Sequence, residues 1–118
     1  MYWEVEHLDV TSAYLNSNLK ETIFMEQPDG CEVADPTQFV CEIEKSLYGL
    51  PQSGRNWNEE LNSKLVMIDM IRSECDRCVY FHKSNALIIG VHVDDFLVTP
   101  LSLPRCRAFS ELFRALIY

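Results

Sequence analysis

Two adjacent carboxylates stand between apolar stretches at Val93-Asp94-Asp95-Phe96. Leu87, Ile88, Ile89 and Val91 precede them, and Phe96-Leu97-Val98-Thr99 follows. Apolar flanks imply a partly desolvated location, where two ionised carboxylates repel each other and burial disfavours both charges. Either one group holds a proton or a cation compensates the pair. Mg²⁺ prefers hard oxygen donors, commonly one or two carboxylates with phosphates and water. The plainer reading is a β-turn, where aspartate is a usual residue, and the pair by itself favours that. A third carboxylate changes the balance. Asp9 ends an expected strand just before an expected short helix. If that strand lies beside the Asp94 hairpin, three carboxylates converge at one sheet edge. Such a cluster can hold two metal ions for in-line phosphoryl transfer. Periodicity alone does not establish the adjacency.

The elements that must position these groups follow from the pattern of apolar residues. Residues 3–10 alternate, with Trp3, Val5, His7 and Asp9 on one face. Thr11 and Ser12 can start a short helix through Ala13, Tyr14, Leu15 and Leu19. Thr22 to Gln27 reads as a strand closed by Pro28-Asp29-Gly30, and Val33 to Gln38 as a loop. Phe39 to Ile43 reads as a further strand. Pro51 to Met67 carries Trp57, Leu61, Leu65 and Ile68 at helical spacing, with polar residues between. A strand at Cys78 to His82, a turn at Lys83-Ser84-Asn85 and a returning strand from Ala86 to Val93 lead to the carboxylates. Ser102-Leu103-Pro104 can open a last helix with Cys106, Phe109, Phe113 and Leu116 on one face. Antiparallel hairpins interrupted by one long helix give an α+β class, an antiparallel sheet with helices packed on one face.

The chain has 118 residues, enough for one core, with 47% hydrophobic and 24% charged residues. No apolar run approaches the ~18 residues of a membrane span, and no signal peptide is visible at the N-terminus. The expected setting is cytoplasmic or nuclear, not secreted and not membrane-bound. Net charge is −8. Residues 1–99 hold 7 Lys/Arg against 17 Asp/Glu, while Arg105, Arg107 and Arg114 face only Glu111 beyond them. A nucleic-acid binder is usually basic, so the chain alone should bind nucleic acid weakly or not at all. Five cysteines, an odd number, argue against a disulfide framework. Cys75 and Cys78 form a lone C-x-x-C without the second ligand pair that structural zinc needs.

Four segments, in order, carry a resemblance. They are His7-Leu8-Asp9-Val10-Thr11-Ser12-Ala13-Tyr14-Leu15-Asn16, Ile23-Phe24-Met25-Glu26-Gln27-Pro28-Asp29-Gly30, Lys45-Ser46-Leu47-Tyr48-Gly49-Leu50-Pro51-Gln52 running on to Arg55-Asn56-Trp57, and Val91-His92-Val93-Asp94-Asp95. Together they resemble the palm segment of copia-type LTR retrotransposon reverse transcriptases, over roughly residues 3–99. The first matches polymerase motif A and the last motif C. The two middle segments are specific to that family.

The resemblance implies a polymerase palm-like fold and RNA-directed DNA polymerisation by two-metal nucleotidyl transfer. By it, Asp9, Asp94 and Asp95 are the catalytic carboxylates and the ligands of two Mg²⁺ ions. Tyr14 matches the aromatic gate under the sugar of the incoming nucleotide, and Gln52 a glutamine that contacts that nucleotide. Without the motif, Tyr14 reads as a core aromatic and Gln52 as an exposed first-turn residue. Arg55 reads as template-proximal or as a surface charge, and Trp57 as packing. The implied partners are an RNA or DNA template-primer and deoxynucleotides. His92 departs from the usual tyrosine, and Arg77 stands where proline is common. Residues 1–99 are expected to form a partial palm domain and residues 100–118 a divergent C-terminal tail that can be helical. The family's fingers and thumb are expected to lie outside this chain, which should be inactive alone. The alternative is a decayed or co-opted non-catalytic fragment, acting as a structural or interaction module.

Overall fold

The computed structural model describes residues 5–82, 87–99 and 103–118, and side chains within the last segment from Arg107 onward. Trp3, the Lys83-Ser84-Asn85 turn, Ala86, Ser102 and the side chain of Cys106 lie outside that description. The elements in chain order are β1 (Glu6–Asp9), a short 3-10 helix (Ala13–Asn16), β2 (Asn18–Met25), β3 (Cys41–Lys45), α1 (Ser53–Met67), β4 (Met70–Arg72), β5 (Val79–His82), β6 (Leu87–His92), β7 (Asp95–Thr99) and α2 (Leu103–Ile117). The class is α+β with antiparallel sheets.

Five strands form one sheet in the order β1-β7-β6-β5-β4, every pairing antiparallel. Register fixes its two faces, because residues directly opposite each other in paired strands share a face. Leu8 opposes Phe96, which opposes Val91; Val98 opposes Ile89, which opposes Tyr80. These residues, with Leu87 and Met70, point to one side. There they meet Trp57, Leu61 and Leu65 of α1 and Phe109, Phe113 and Ile117 of α2 in one core. The Phe96 and Phe113 rings lie 4.7 Å apart, in the range of favourable tilted aromatic pairs. Both helices therefore cover the same face. The other face carries His7, Asp9, Asp95 and Leu97 in the open.

Helix α1 forms where the spacing predicts. Pro51 precedes it, and the buried Ser53 hydroxyl donates to the Leu47 carbonyl at 2.5 Å, tying the entry loop to the first turn. Lys64, in the last turn, donates to the Leu116 carbonyl of α2 at 2.8 Å and so links the two helices. The chain leaves α1 through Asp69 at φ 62° and returns as β4. That strand is only three residues long and had no alternation to reveal it. Other boundaries also differ from expectation: β3 begins at Cys41 rather than Phe39 and runs on to Lys45. After Asp9 the helix is one 3-10 turn and does not reach Leu19, which belongs to β2. That strand starts four residues before Thr22 and ends at Met25.

Strands β2 and β3 form a separate two-stranded sheet. Ser46 N–H to the Ser17 carbonyl, at 3.0 Å, and an ion pair from Lys20 to Glu59 of α1 fasten its base. The hairpin stretches the molecule to 63 × 27 × 19 Å, with a radius of gyration of 18.0 Å. A compact domain of this length would have roughly 13–14 Å.

Candidate active site at the carboxylate turn

The β6–β7 hairpin closes through two residues, Val93 and Asp94, with His92 paired to Asp95. Val93 sits at φ 56°. That left-handed conformation is rare for a β-branched residue, and glycine is the usual choice at the first central position of tight hairpin turns. Two hydrogen bonds hold the turn in place. Trp57 Nε1–H of α1 donates to the Val93 carbonyl at 2.7 Å, and Val10 N–H donates to the Asp94 carbonyl at 2.8 Å. The turn is thus gripped from below by the helix and from the side by the chain leaving β1. Trp57 does more than pack: its ring is 2% exposed, while its one polar atom fixes the turn. Sequence reading missed this, because spacing reports the buried face of an indole and says nothing about where its N–H points.

Asp9 is directly opposite Asp95 in the β1–β7 ladder, and Asp94 is the next residue along. Three acidic residues from two distant sequence segments therefore sit at one end of the sheet. They are more open to water than their apolar flanks suggested. Asp9 and Asp95 are exposed, because the apolar neighbours of the turn face α1 and α2 while this end of the ladder has no cover. Mutual repulsion is relieved by separate partners. Asp95 Oδ1 bonds to His7 Nε2 at 2.7 Å across the strands, and both side chains are about half exposed. The Tyr48 hydroxyl lies close to Asp94. The Tyr48 phenol is pushed above its ordinary value, first by lost hydration and then by the charges of Asp94, Tyr14 and Asp9. An anionic phenolate would face these acids at close range, so the neutral form is held.

Tyr14 stands beside this cluster. Its ring lies 4.4 Å from that of Tyr48, tilted by 34°. Its hydroxyl lies near Gly54, where a Cβ would meet it at an ordinary contact distance of 3.6 Å. Tyr14, Gly54, Trp57, Cys78, His92 and Val93 line a cavity of about 180 Å³ next to the turn. His92 faces the side of Asp95, its paired residue, because the turn interrupts strand alternation before Asp94. Gln52 is the residue that caps α1 from its N-terminal end; its carbonyl accepts Asn56 N–H at 3.0 Å and its side chain makes no cap bond. The structure brings Asp9, Asp94, Tyr14 and Tyr48 near one another and sets Asp95 across the ladder from Asp9, bonded to His7, while Gln52 stands at the start of the helix whose Trp57 holds the turn. Arg55 is exposed and, with Lys20, draws the Glu59 carboxyl below its usual range; the Lys20 hydrogen bond is the larger cause.

Among the described residues no three His, Cys, Asp or Glu side chains are arranged to hold a metal ion by themselves. The donor chemistry at the turn nevertheless suits Mg²⁺. All three groups are hard carboxylate oxygens, and that ion is ordinarily held by one or two carboxylates with water and substrate phosphates completing the shell. Cys75 and Cys78 are both free and exposed.

A family profile described as reverse transcriptase (RNA-dependent DNA polymerase) matches residues 1–115. The chain belongs to the reverse transcriptase family. Its relatives make it copia-type. It is 43% identical over 98 residues to the Retrovirus-related Pol polyprotein from transposon TNT 1-94 of Nicotiana tabacum, covering 80% of this chain and 7% of the relative. Identity to the corresponding polyprotein from transposon RE1 of Arabidopsis thaliana is 35% over 99 residues, 82% of this chain and 7% of that one. The Transposon Ty1-NL2 Gag-Pol polyprotein of Saccharomyces cerevisiae is 35% identical over 95 residues, 80% and 5% respectively. This reverse transcriptase chain thus spans about 7% of the length of the first two polyproteins. No solved structure matches it.

Proposed function

We propose that this chain carries the catalytic carboxylates of an RNA-directed DNA polymerase, built on a palm-like sheet over residues 1–99, with 100–118 as a divergent tail. The observation that carries the reading is the meeting of Asp9 with Asp94 and Asp95 at one end of the sheet, from the two sequence segments that resemble polymerase motifs A and C. The reaction is attack of a primer 3′-OH on the α-phosphate of a deoxynucleotide, with a new P–O bond formed and pyrophosphate leaving. When bound, a pair of Mg²⁺ ions would supply charge neutralisation at the attacking and leaving oxygens. Asp9 and Asp94 would hold them, with Asp95 in support.

The remaining roles belong to the chain's own groups. Tyr14, braced by Tyr48 and seated against Gly54, forms a floor on which the sugar of the incoming nucleotide rests, and a 2′-OH would collide with it. Gln52 contacts the same nucleotide from the head of α1. The Trp57 and Val10 hydrogen bonds keep Asp94 in position, so that little reorganisation is left to the moment of reaction. The template-primer and deoxynucleotides are the partners, and the setting is cytoplasmic or nuclear. In the described residues no helix is long and apolar enough to cross a membrane.

The test has two arms. Mn²⁺ titrated into the 118-residue chain should broaden amide signals around Asp9, Asp94 and Asp95 first, and Asp9→Asn with Asp94→Asn should abolish that. Residues 1–99 exchanged into the matching region of the TNT 1-94 polyprotein should support primer extension that Asp94→Asn eliminates. Broadening that starts elsewhere, or extension indifferent to Asp94→Asn, would overturn the assignment. A non-catalytic interaction module is the second reading, favoured by one observation, the net charge of −8. It would be supported by a stable chimera without extension.

A further inference from the structure

Asp9 and Asp95 are directly opposite each other in the β1–β7 ladder, and like charges so placed destabilise a sheet. The structure resolves this conflict through a third residue. His7 is opposite Leu97, two residues before Asp9, so it lies diagonally from Asp95 on the same open face. His7 Nε2 and Asp95 Oδ1 are 2.7 Å apart across that diagonal. An ionised carboxylate only accepts, so the ring nitrogen carries the hydrogen and donates it.

The direction of this bond matters. Strand β1 runs toward the turn and β7 runs away from it, so a residue two before Asp9 lies on the far side of Asp95 from Asp94. Bonding to His7 therefore draws the Asp95 carboxylate along the sheet, away from the turn. His92 is opposite Asp95 on its other flank, in β6, yet Oδ1 is bonded to His7. The cavities show the same separation. Asp9 lines one of about 190 Å³ with Phe113, Arg114 and Tyr118. Asp95 lines another of about 400 Å³ with Gly90, His92 and Leu97, and His7 stands in the wall of both. Asp94 and Asp9, by contrast, both lie close enough to Tyr48 to raise its phenol. Among the described residues no three His, Cys, Asp or Glu side chains converge on one metal position, which agrees with one of the three acids being turned aside.

We infer that His7 is a positioning residue that tethers Asp95 outside the metal shell, so that Asp9 and Asp94 alone supply the protein's ligands. This rests on the polymerase reading and specifies how Asp95 supports it. Mg²⁺ in sites of this kind is held by one or two carboxylates, with water and substrate phosphates in the remaining positions, and not by an all-protein cage. A third carboxylate in the shell would take a position that a phosphate oxygen needs. Tethered, Asp95 adds its negative field to the site and displaces nothing. Partners that orient groups around a metal commonly change its affinity by roughly 10–100-fold when they are removed.

The test is the Mn²⁺ affinity of the whole 118-residue chain, read from paramagnetic broadening of its amide signals. His7→Leu removes the tether at a side chain that is 57% exposed and outside the core, and should tighten Mn²⁺ binding roughly tenfold as Asp95 enters the shell. His7→Gln keeps an N–H donor without a ring that can carry charge, and should stay within about twofold of the unsubstituted chain. In the His7→Leu chain, Asp95→Asn should reverse the gain. In the unsubstituted chain the same substitution should do far less, the non-additivity of a coupled pair. Three results overturn the inference: Mn²⁺ affinity unchanged or weakened in His7→Leu, equal behaviour of His7→Gln and His7→Leu, or an equal effect of Asp95→Asn with and without His7. The second would assign the effect to ring charge alone. Failure of the underlying reading looks different: Mn²⁺ broadening at the turn that survives Asp9→Asn with Asp94→Asn removes the metal site itself, and the tether with it.

Discussion

At the residue scale, the geometry of Asp94 depends on two neighbours that carry no charge. Trp57 Nε1–H holds the Val93 carbonyl, and that grip keeps a valine at φ 56°. Trp57→Phe removes the donor and part of the buried bicyclic ring. It should cost about 1 kcal/mol for the hydrogen bond, with a further loss for the cavity left behind, and speed exchange of Val10 N–H, which bonds to the Asp94 carbonyl. Urea unfolding and amide exchange measure the two effects; an unchanged Val10 rate would mean the turn stands without Trp57. Tyr48 makes a pH-dependent contribution. Its phenol is raised from 10.0 in the folded chain, so folding binds that proton more tightly. The stabilisation is whole below about pH 10 and is lost as pH rises through the folded value. The thermal midpoint should therefore fall in alkali, and less steeply in Tyr48→Phe. Tyr80 is raised in the same direction, chiefly by burial, and will keep part of the slope in that variant. Equal slopes in both proteins would remove Tyr48 from the account. For Tyr14, a chimera carrying Tyr14→Ala should accept ribonucleotides more readily, and unchanged discrimination would reject the gate.

At the element scale, α1 links core to chemistry. Its buried stripe of Trp57, Leu61 and Leu65 lies against the sheet, and the same helix starts at Gln52 and reaches the turn through Trp57. Leu61 is 1% exposed, so Leu61→Ala should lower stability by about 2–5 kcal/mol, the range for a leucine truncated in a core. Guanidinium unfolding would read this, and a loss under 1 kcal/mol, about a third of the usual effect, would mean the site collapses freely. This helix was legible in the sequence because four apolar residues repeat at its period. The β6–β7 hairpin was legible because two apolar runs flank a polar pair. Strand β4 was not, since Met70-Ile71-Arg72 is too short to show alternation and is recruited by pairing with β5. The start of β2 was hidden for a related reason: Asn18, Lys20 and Glu21 have little strand propensity, and pairing with β3 and a contact with α1 set their conformation. The nearness of Asp9 to Asp95 could be hoped for from motifs but not read from spacing, because strand order is a tertiary fact.

At the scale of the whole molecule, shape and charge decide what the chain can do alone. Polymerisation needs template and primer held so that the 3′-OH points at the α-phosphate, and misplacement by about 1 Å can cost 100-fold. Such a hold is mainly electrostatic, made by lysines and arginines on phosphates. Residues 1–99 carry 17 acids against 7 bases, and the projecting hairpin is the most acidic part. Beyond Thr99 the sequence adds only three arginines against Glu111, of which Arg107 and Arg114 are exposed on α2. The relatives place this segment within polyproteins of which it covers about 7%, leaving ample chain to supply a clamp. The 118-residue chain alone should therefore fail to extend a primer on a homopolymer template with Mg²⁺ or Mn²⁺, and should not retard a template-primer duplex in a gel at physiological salt. Lowering the salt should help little, because the long-range field of a chain at −8 opposes the phosphates and screening weakens that repulsion only as salt rises. Extension by the purified chain that disappears in Asp94→Asn would show that the carboxylate turn and the Tyr14 floor can capture a template-primer without a basic clamp.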